Sequence, residues 1–248
     1  MDFIGIIPAR FASTRFPGKP LVNINGKSMI QRVYEQVKLV LDDVYVATDD
    51  NRIADEVIKF GGKVVMTSEN HQSGTDRISE AINNITKDTK KQYDIVINVQ
   101  GDEPFIQPEQ IQQIVSCFEN KNTQIATLVK KIENNEEVFD VNKPKVIFDK
   151  NMKAIYFSRS PIPFVRNVEK QKWHLHSDFY KHIGMYAYKA NILKELTQLP
   201  QSKLELAESL EQLRWLENDY TISVAITQFE SFGIDTPEDL EKIVENKS

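Results

Sequence analysis

The sequence predicts an α/β protein with a mostly parallel central sheet, helices on both faces and a smaller antiparallel excursion. Short apolar runs of strand type alternate with segments of helical periodicity from the amino terminus onward, joined by short connections. This rhythm changes near Asn142, where two short runs alternate around a turn in the manner of antiparallel strands.

The amino-terminal part has a βαβαβ pattern. Strand-type runs at 4–7, 44–47 and 63–66 alternate with helices at 29–41 and 53–60. Ser28 is the expected N-cap of the first helix, and the Gly61-Gly62 pair closes the second. A helix at 78–85, a strand at 93–100, a helix at 108–118 and a strand at 125–129 continue the alternation. Ligands of such a sheet lie at the carboxyl ends of its strands.

The second half begins with strands at 145–148 and 154–158. The irregular segment that follows, up to Tyr180, is expected to line a substrate cleft or to cover another subunit. A strand at 182–188, helices at 191–199 and 205–216, and a strand at 222–226 come next. We expect residues 1–248 to form a single domain with an excursion at about 142–190.

Composition narrows the class of protein. The 248 residues are 40% hydrophobic, enough for a full core, and the net charge of -5 gives no reason to expect nucleic-acid binding. No apolar run reaches the roughly 18 residues of a membrane span, and no leader pattern precedes the first strand, so we expect a cytoplasmic protein. The lone cysteine, Cys117, lies in an apolar run and is expected to be a buried hydrophobe rather than a nucleophile.

The loop after the first strand concentrates positive charge. No acidic residue occurs between Phe3 and Tyr34, whereas Arg10, Arg15 and Lys19 follow one another in the loop. Three cations at the carboxyl end of a strand can surround a triphosphate. The loop is not a Walker A motif, because Pro20 follows Lys19. The alternative is an ordinary basic surface loop.

A polar loop at 67–77 precedes the predicted helix at 78–85. Its backbone groups and Ser73 could read the edge of a base, with Arg77 as a further donor. The alternative is that Ser73 or Thr75 only caps the helix, and capping is expected whether or not the loop also binds a ligand.

Carboxylates stand at two further loop positions. Asp102 and Glu103 follow the predicted strand at 93–100, and paired carboxylates with substrate phosphates are a common way to hold Mg²⁺. Near the carboxyl terminus, Thr236 is the expected N-cap and Pro237 the first helical residue, which leaves Asp235 for a ligand or a metal. The alternatives are a plain turn for the first pair, and capping or solvation for Asp235.

The predicted strand at 182–188 carries a polar stripe that includes His182 and Tyr186. A lone histidine in such a strand is more often a structural group than a functional one.

Eight stretches resemble the 3-deoxy-D-manno-octulosonate (KDO) cytidylyltransferases, also called CMP-KDO synthetases, in the same order from one end of the chain to the other. Together they make chance similarity improbable. They are IIPARFASTRFPGKPL at 6–21, ATDD at 47–50, HQSGTDR at 71–77, NVQGDEPFI at 98–106, YFSRSPIP at 156–163, HIGMYAY at 182–188, ESLEQLRWLE at 208–217 and GIDTPEDLE at 233–241.

The resemblance implies a Rossmann-like nucleotidyltransferase fold and a homodimer formed through the excursion. It implies that CMP passes from CTP to the anomeric hydroxyl of KDO, giving CMP-KDO and pyrophosphate for lipopolysaccharide biosynthesis, with Mg²⁺ required. CTP and KDO would be the partners, with neither nucleic acid nor membrane involved.

The resemblance also implies roles for individual residues. Arg10, Lys19, Asp102 and Asp235 would be catalytic, with the two aspartates holding Mg²⁺. The implied nucleotide-binding residues are Pro8, Ala9, Arg10, Arg15, Lys19, Ser73, Arg77 and Gln100. The implied sugar-binding residues are Arg159, His182, Tyr186, Glu211 and Gln212.

The chemistry of these five side chains suggests which group of the sugar acid each would bind. Arg159 and His182 suit the carboxylate of KDO, and the other three suit its hydroxyls. Two alternatives stay open: the same reaction on an amino-KDO or a sialic acid, and a nucleotide-binding regulatory module without catalysis. Joint retention of Lys19, Asp102 and Asp235 argues against the second, since binding alone does not require two metal carboxylates.

Overall fold

The computed structural model describes residues 1–12, 15–71 and 73–246. Ser13 and Thr14 of the basic loop and Gln72 of the polar loop lie outside the described residues, as do positions 247 and 248. By compactness the chain divides into two units, residues 1–111 with 231–248 and residues 112–230. The single domain expected from the sequence stays a prediction.

The described residues alternate strands and helices in chain order. The first part contains β1 Phe3–Ala9, β2 Asn23–Ile24, β3 Lys27–Ser28, α1 Met29–Lys38, β4 Val44–Thr48, α2 Asn51–Lys59, β5 Lys63–Met66, α3 Gly74–Thr89, β6 Ile95–Asn98 and α4 Pro108–Ser116. The second part contains β7 Ile125–Lys131, α5 Asn135–Phe139, β8 Lys145–Phe148, β9 Ala154–Ser158, α6 Trp173–His176, β10 Tyr180–Lys189, α7 Ala190–Leu196, α8 Lys203–Glu208, α9 Gln212–Glu217, β11 Ile222–Thr227 and α10 Pro237–Asn246. Short 3₁₀ helices lie at Lys19–Leu21, Cys117–Glu119 and Lys170–Lys172.

The first unit is built on four parallel strands in the order β6-β1-β4-β5. β1 and β6 are neighbouring apolar strands, and Ile4, Ile6 and Ile7 of β1 are fully buried. A strand covered on both faces is expected to read as a continuous apolar run, which is how these two strands appear in the sequence. Their carboxyl ends therefore meet at one edge, where the loops 10–21 and 99–107 begin.

Side-chain caps start the helices of this unit close to the predicted positions. The Ser28 hydroxyl accepts from the Gln31 amide at the start of α1, and Asp50 accepts from the Arg52 amide at the start of α2. Ser73 caps α3, which begins at Gly74, four residues before the start expected from periodicity. The first turn of α3 is polar, so hydrophobic periodicity did not reveal it.

The second unit combines one parallel pair, β7 with β11, and antiparallel pairs of β10 with β7, β10 with β8, and β8 with β9. The β8 and β9 bounds are those expected from the sequence, and the predicted α/β class with an antiparallel excursion is confirmed. A separate apolar cluster supports the excursion, formed by Ile132, Val138, Trp173 and Phe179.

The single helix predicted at 205–216 is wrong: two helices, α8 and α9, occupy this stretch. Ser209 ends α8 in the left-handed conformation with φ 51°, and its amide donates to the Glu205 carbonyl. Apolar residues keep helical spacing through the break, so the pattern did not indicate it. Within the described part of the chain, no helix is both long and apolar enough to cross a membrane.

Candidate active site

A cavity of about 270 Å³ opens in the first unit where β1 and β6 end. Ten of its lining residues are those assigned to the nucleotide, the metal or catalysis from the sequence: Pro8, Ala9, Arg10, Arg15, Lys19, Ser73, Arg77, Gln100, Asp102 and Asp235. Four further lining residues were not singled out: Pro20, His71, Gly74 and Gly101. All four lie inside the matched motifs, so taking every residue of those motifs as a candidate would have included them.

The basic loop is folded back on itself beside this cavity. The Gly18 amide donates to the Phe11 carbonyl at 3.0 Å, which closes the loop. Gly18 has φ 73°, a left-handed conformation that glycine adopts without a steric penalty. It precedes the 3₁₀ turn Lys19–Leu21, so the backbone reversal sets the starting point of the Lys19 side chain.

Lys19 lies between the two carboxylates assigned to the metal. Its Nζ donates to Asp102 Oδ2 at 2.8 Å and to Asp235 Oδ1 at 3.1 Å. Arg15 Nη2 lies 3.1 Å from the other Asp235 oxygen. The Lys19 side chain is 13% exposed, against 66% for Arg15, so screening by water is weaker at Lys19. Among the described residues, Arg10 has no ion-pair partner and is exposed.

Backbone contacts hold the two carboxylates together. The Ile234 amide donates to the Asp102 carbonyl at 2.9 Å, which joins the loop after β6 to the segment before α10. A side chain at Gly101 would place its Cβ 2.8 Å from the Pro8 carbonyl oxygen, so this close approach requires glycine. The turn after β6 can therefore lie against the end of β1.

Capping of α10 leaves the Asp235 carboxylate available, as expected. Thr236 Oγ1 accepts from the Asp239 amide at 3.3 Å. The Asp239 carboxylate accepts in return from the amides of Asp235 and Thr236, at 3.1 and 3.0 Å. This reciprocal arrangement orients the backbone of Asp235 without using its side chain.

The two aspartates suit Mg²⁺ held jointly with phosphate. Within the described residues, no group of three or more histidine, cysteine or acidic side chains could by itself hold a metal. Mg²⁺ commonly takes only one or two carboxylates and completes its shell with water and substrate phosphates. Asp102 and Asp235 converge on one cation, Lys19, beside a cavity lined by four cationic side chains. The donor set therefore fits a metal that arrives with a triphosphate.

Of the predicted carboxylate pair, only Asp102 faces the cavity. Glu103 is buried, and burial raises its pKa to about 7, with a hydrogen bond from Ser231 opposing that rise. A carboxyl group in this environment is a poorer metal ligand than Asp102, because a metal ligand must be ionised.

In the polar loop, Ser73 caps α3 through the Asp76 amide at 3.1 Å, so the expected capping is confirmed. Arg77 lines the cavity, but its guanidinium donates to Thr67 Oγ1 at 2.7 Å and to Asp49 Oδ2 at 2.6 Å. Arg77 is buried and is thereby anchored to the ends of the neighbouring strands. Two of its five donors are used in this way, and the other three have no acceptor among the described residues.

His71 was missed as a cavity residue. Its Nε2 contacts Glu80 Oε2, and the same carboxylate accepts from the Ser68 amide at 3.0 Å. Burial tends to raise the pKa of Glu80, but these hydrogen bonds outweigh it and the pKa is lowered, so the carboxylate is ionised at neutral pH.

The residues assigned to the sugar acid lie in the second unit, and Arg159 is committed to backbone carbonyls there. Its Nε donates to Glu208 at 2.6 Å, Nη1 to Val141 at 2.9 Å and Nη2 to Ser209 at 3.3 Å. The bonds to Glu208 and Ser209 satisfy carbonyls at the end of α8, and the bond to Val141 ties this end to the segment before β8. The other two of its five guanidinium protons have no acceptor in the described part of the chain.

His182 is a neutral group in this structure. Burial lowers its pKa to about 4. Thr127 Oγ1 lies 2.7 Å from the Met185 carbonyl, to which it must donate its single proton, so His182 Nε2 at 2.9 Å is the donor to Thr127. Nδ1 is then an acceptor, which favours contact with a hydroxyl over the carboxylate contact expected from the sequence.

Tyr186 and Gln212 carry buried polar atoms without partners. Within the described structure, Tyr186 Oη and Gln212 Nε2 are buried and make no hydrogen bond. The register of β10 shifts between Ile183 and Tyr186, which interrupts the predicted alternation, and Tyr186 is buried. Buried polar groups are rarely unpaired, so these two atoms indicate a place for water or a ligand. Glu211 accepts from Arg214 Nη2 at 2.8 Å.

Comparison with known proteins decides the family. The model of the cytidylyltransferase family matches residues 4–226. The chain belongs to the cytidylyltransferase family. The resemblance found in the sequence is thereby confirmed.

Individual relatives are similar over nearly the whole chain. The 3-deoxy-manno-octulosonate cytidylyltransferase of Parabacteroides distasonis is 63% identical, over 98% of this chain and 96% of the relative. The 8-amino-3,8-dideoxy-manno-octulosonate cytidylyltransferase of Shewanella baltica is 49% identical, over 98% of this chain and 97% of the relative. A solved structure of CMP:2-keto-3-deoxy-manno-octonic acid synthetase complexed with CTP is 40% identical, covers 100% of this chain and 98% of its own, and has a TM-score of 0.91.

Proposed function

We propose that this cytidylyltransferase transfers CMP from CTP to the anomeric hydroxyl of KDO, releasing pyrophosphate, as a Mg²⁺-dependent step of lipopolysaccharide biosynthesis in the cytoplasm. The observation that carries the proposal is the meeting of Lys19, Asp102 and Asp235 in a cavity shared with Arg10 and Arg15. The 63% identity to a relative with this named activity supports the choice of substrate.

The cations of the cavity would handle the triphosphate. Arg10 is exposed at the cavity and has no ion-pair partner among the described residues, so it can bind phosphate without losing another contact. Arg15 and Lys19 start from contacts with Asp235 and would exchange these for phosphate oxygens. Charge neutralisation at the triphosphate and the departing pyrophosphate is the main contribution that enzymes make to such transfers.

Asp102 and Asp235 would hold Mg²⁺. Bound there, Mg²⁺ would lower the pKa of the attacking hydroxyl and orient it toward the α-phosphate. No dedicated protein base is then essential. The Ile234 amide holds the backbone of Asp102, and the Asp239 carboxylate holds the backbone of Asp235. Both contacts are present before substrate binds, so binding includes no further entropic cost of orienting the aspartates.

The sugar acid would be bound by residues of the second unit. The two free guanidinium protons of Arg159 suit its carboxylate, and His182 Nδ1 suits a hydroxyl donor. Tyr186 Oη and Gln212 Nε2, which have no partner among the described residues, would hydrogen-bond to other hydroxyls, with Gln212 Nε2 as the donor. A site that leaves polar groups unpaired with the wrong sugar discriminates strongly against it.

The decisive experiment measures pyrophosphate release from a panel of acid sugars with CTP or UTP. We expect release only when CTP, Mg²⁺ and KDO are all present. Equal release with a sugar 1-phosphate would contradict the proposal. Higher kcat/KM with 8-amino-KDO than with KDO would transfer the proposal to the amino sugar, on which the 49% identical relative acts by name.

A regulatory module that binds nucleotide without catalysis is the second candidate. It predicts CTP binding by calorimetry with no turnover of any sugar in the panel. The pair of aspartates beside the cations argues against it, because nucleotide binding alone does not need two metal carboxylates.

A further inference from the structure

A stacked pair of side chains lies next to the triphosphate loop but outside its cavity. The guanidinium carbon of Arg52 lies 3.3 Å from the centroid of the Phe11 ring, a close cation–π contact. Neither residue lines the cavity, and the proposed reaction assigns no role to either.

Asp50 sets the orientation of Arg52. Arg52 Nε donates to Asp50 Oδ1 at 2.9 Å and Nη2 to Oδ2 at 2.6 Å, a two-pronged contact that fixes the plane of the guanidinium. Asp50 also accepts from the Arg52 amide and so caps α2. The guanidinium that stacks on Phe11 is therefore fixed at the start of α2, a helix that buries Ile53 and Val57.

Phe11 connects this surface to the loop. Its carbonyl accepts from the Gly18 amide at 3.0 Å. Its ring also fills the space beside Gly18, where an added Cβ would lie 3.1 Å from ring atoms. Gly18 directly precedes the turn that carries Lys19. Contacts thus run without interruption from the start of α2 through Arg52, Phe11 and Gly18 to Lys19.

We propose that Phe11 and Arg52 are positioning residues that hold the triphosphate loop closed before CTP binds. The inference rests on the proposed function in that it takes CTP as the ligand. Asp235 offsets the repulsion between Arg15 and Lys19, but Arg10 adds a third positive charge that no described carboxylate pairs. A loop without the support of Phe11 and Arg52 would therefore populate more open conformations. CTP binding would then include the entropic cost of closing the open loop, and the affinity for CTP would be lower.

The test compares single and double variants. Phe11→Leu keeps apolar volume but loses the ring, and Arg52→Met keeps length but loses the cation. We expect each to raise the KM for CTP about 2- to 5-fold, the range for a partly exposed cation–π pair, with kcat and the KM for KDO changed less. The double variant should be no worse than either single one, since both remove the same contact.

Two matched variants serve as controls. Lys59→Met removes a positive charge from the same helix, one that is 79% exposed and paired only with Glu56 in the described structure, and should leave the KM for CTP unchanged. Phe11→Tyr keeps the ring and should retain wild-type values. Thermal unfolding of each variant reports on stability separately.

Wild-type KM for CTP in both single variants, additive effects in the double variant, or an equal effect of Lys59→Met would overturn the inference. So would losses spread equally over kcat and both KM values together with a lower melting temperature. Calorimetry with CTP keeps the two proposals apart. If the wild type binds CTP but makes no CMP-KDO, the proposed acceptor fails, while CTP affinities of the variants still test the contact.

Discussion

Lys19 combines three properties at one residue: it is mostly buried, it is doubly paired, and it lies where a triphosphate would sit. Its ammonium offsets the repulsion between Asp102 and Asp235, which the loop and α10 bring together. A partner lost from such a cluster leaves the remaining charges close and uncompensated. The geometry of the carboxylates thus depends on this one cation, which we also propose to bind phosphate.

Replacement of Lys19 should therefore affect the nucleotide first. We expect Lys19→Ala to raise the KM for CTP at least about tenfold, consistent with the loss of a charge-assisted contact, and the KM for KDO much less. Steady-state kinetics with each substrate varied in turn measures this. Lys27→Ala, which removes an exposed lysine paired with Glu35, is the control. An unchanged CTP dependence in Lys19→Ala would argue against the phosphate role.

The two aspartates should be sensitive to loss of charge alone. Asp102→Asn and Asp235→Asn keep size and shape, and each is expected to lower turnover at least about a hundredfold, because a neutral amide is a weak ligand for Mg²⁺. Mg²⁺ titrations of activity provide the measurement. Asp55→Asn, an exposed aspartate of the same unit, should behave as wild type. Near-normal turnover would remove the residue concerned from the metal site.

His182 predicts a pH dependence of stability. Its pKa is about 4 in the folded protein against an ordinary 6.5, so unfolding takes up a proton between these values. The free energy of unfolding should therefore fall as the pH is lowered from 6.5 to 4, by about 2 kcal/mol from this group.

Urea unfolding across this range compares wild type with His182→Gln, which can still donate to Thr127 but does not titrate. The variant should lose less stability on acidification. His176→Gln, at an exposed histidine, should follow the wild type. Equal acid sensitivity of wild type and His182→Gln would show that His182 does not have the lowered pKa.

At the scale of elements, α10 connects helix capping to the site. The reciprocal contacts of Thr236 and Asp239 begin the helix immediately after Asp235, and the Ile234 amide binds the Asp102 carbonyl. Ile234 is fully buried against Ile24 and Met29. A short segment therefore joins core packing, the start of a helix and a proposed metal ligand.

Loss of the cap should weaken Mg²⁺ binding at the proposed metal site, because the cap lies next to Asp235 in the chain. We expect Thr236→Ala to lower the free energy of unfolding by about 1 kcal/mol and to raise the Mg²⁺ concentration needed for half-maximal activity. Thr236→Ser, which retains the hydroxyl, should be close to wild type. Denaturant unfolding and Mg²⁺ titration test the two effects separately, and unchanged values in the alanine variant would contradict the capping role.

At the scale of the whole molecule, the expected homodimer is our proposal. Two large apolar side chains of the excursion are exposed, Phe164 at 73% and Leu175 at 70%. Contiguous exposed apolar surface is typical of interaction sites, and we propose that these two side chains belong to such a surface. A second copy of this chain is the partner implied by the family resemblance.

Sedimentation should therefore give twice the monomer mass for the wild type. Phe164→Ser with Leu175→Ser is expected to weaken association at least about tenfold, the effect of losing roughly 1.4 kcal/mol of apolar burial. Leu39→Ser, a 72% exposed leucine of the first unit, is the matched control. A monomeric wild type at micromolar concentration would contradict the proposal.

Sequence reasoning succeeded where structure depends on neighbours along the chain. The caps Ser28, Ser73 and Thr236 were expected and are present, because a cap is decided by residues within one helical turn. It failed at Ser209, where one left-handed residue divides a pattern that stays periodic. It was also incomplete at the start of α3, whose first turn carries no hydrophobic pattern.

The ordered motifs by themselves indicate the family and the residue types of the candidate site, and the alternation of strand and helix patterns predicts the parallel beginning of the fold. Only the tertiary structure decides which of these side chains meet. Lys19 and Asp235 contact each other across 216 positions of sequence, because core packing brings the start of α10 to the carboxyl edge of the sheet. The same holds for His182, because burial keeps it neutral and donation of Nε2–H to Thr127 leaves Nδ1 as the acceptor, properties that depend on its environment and not on its position in a motif.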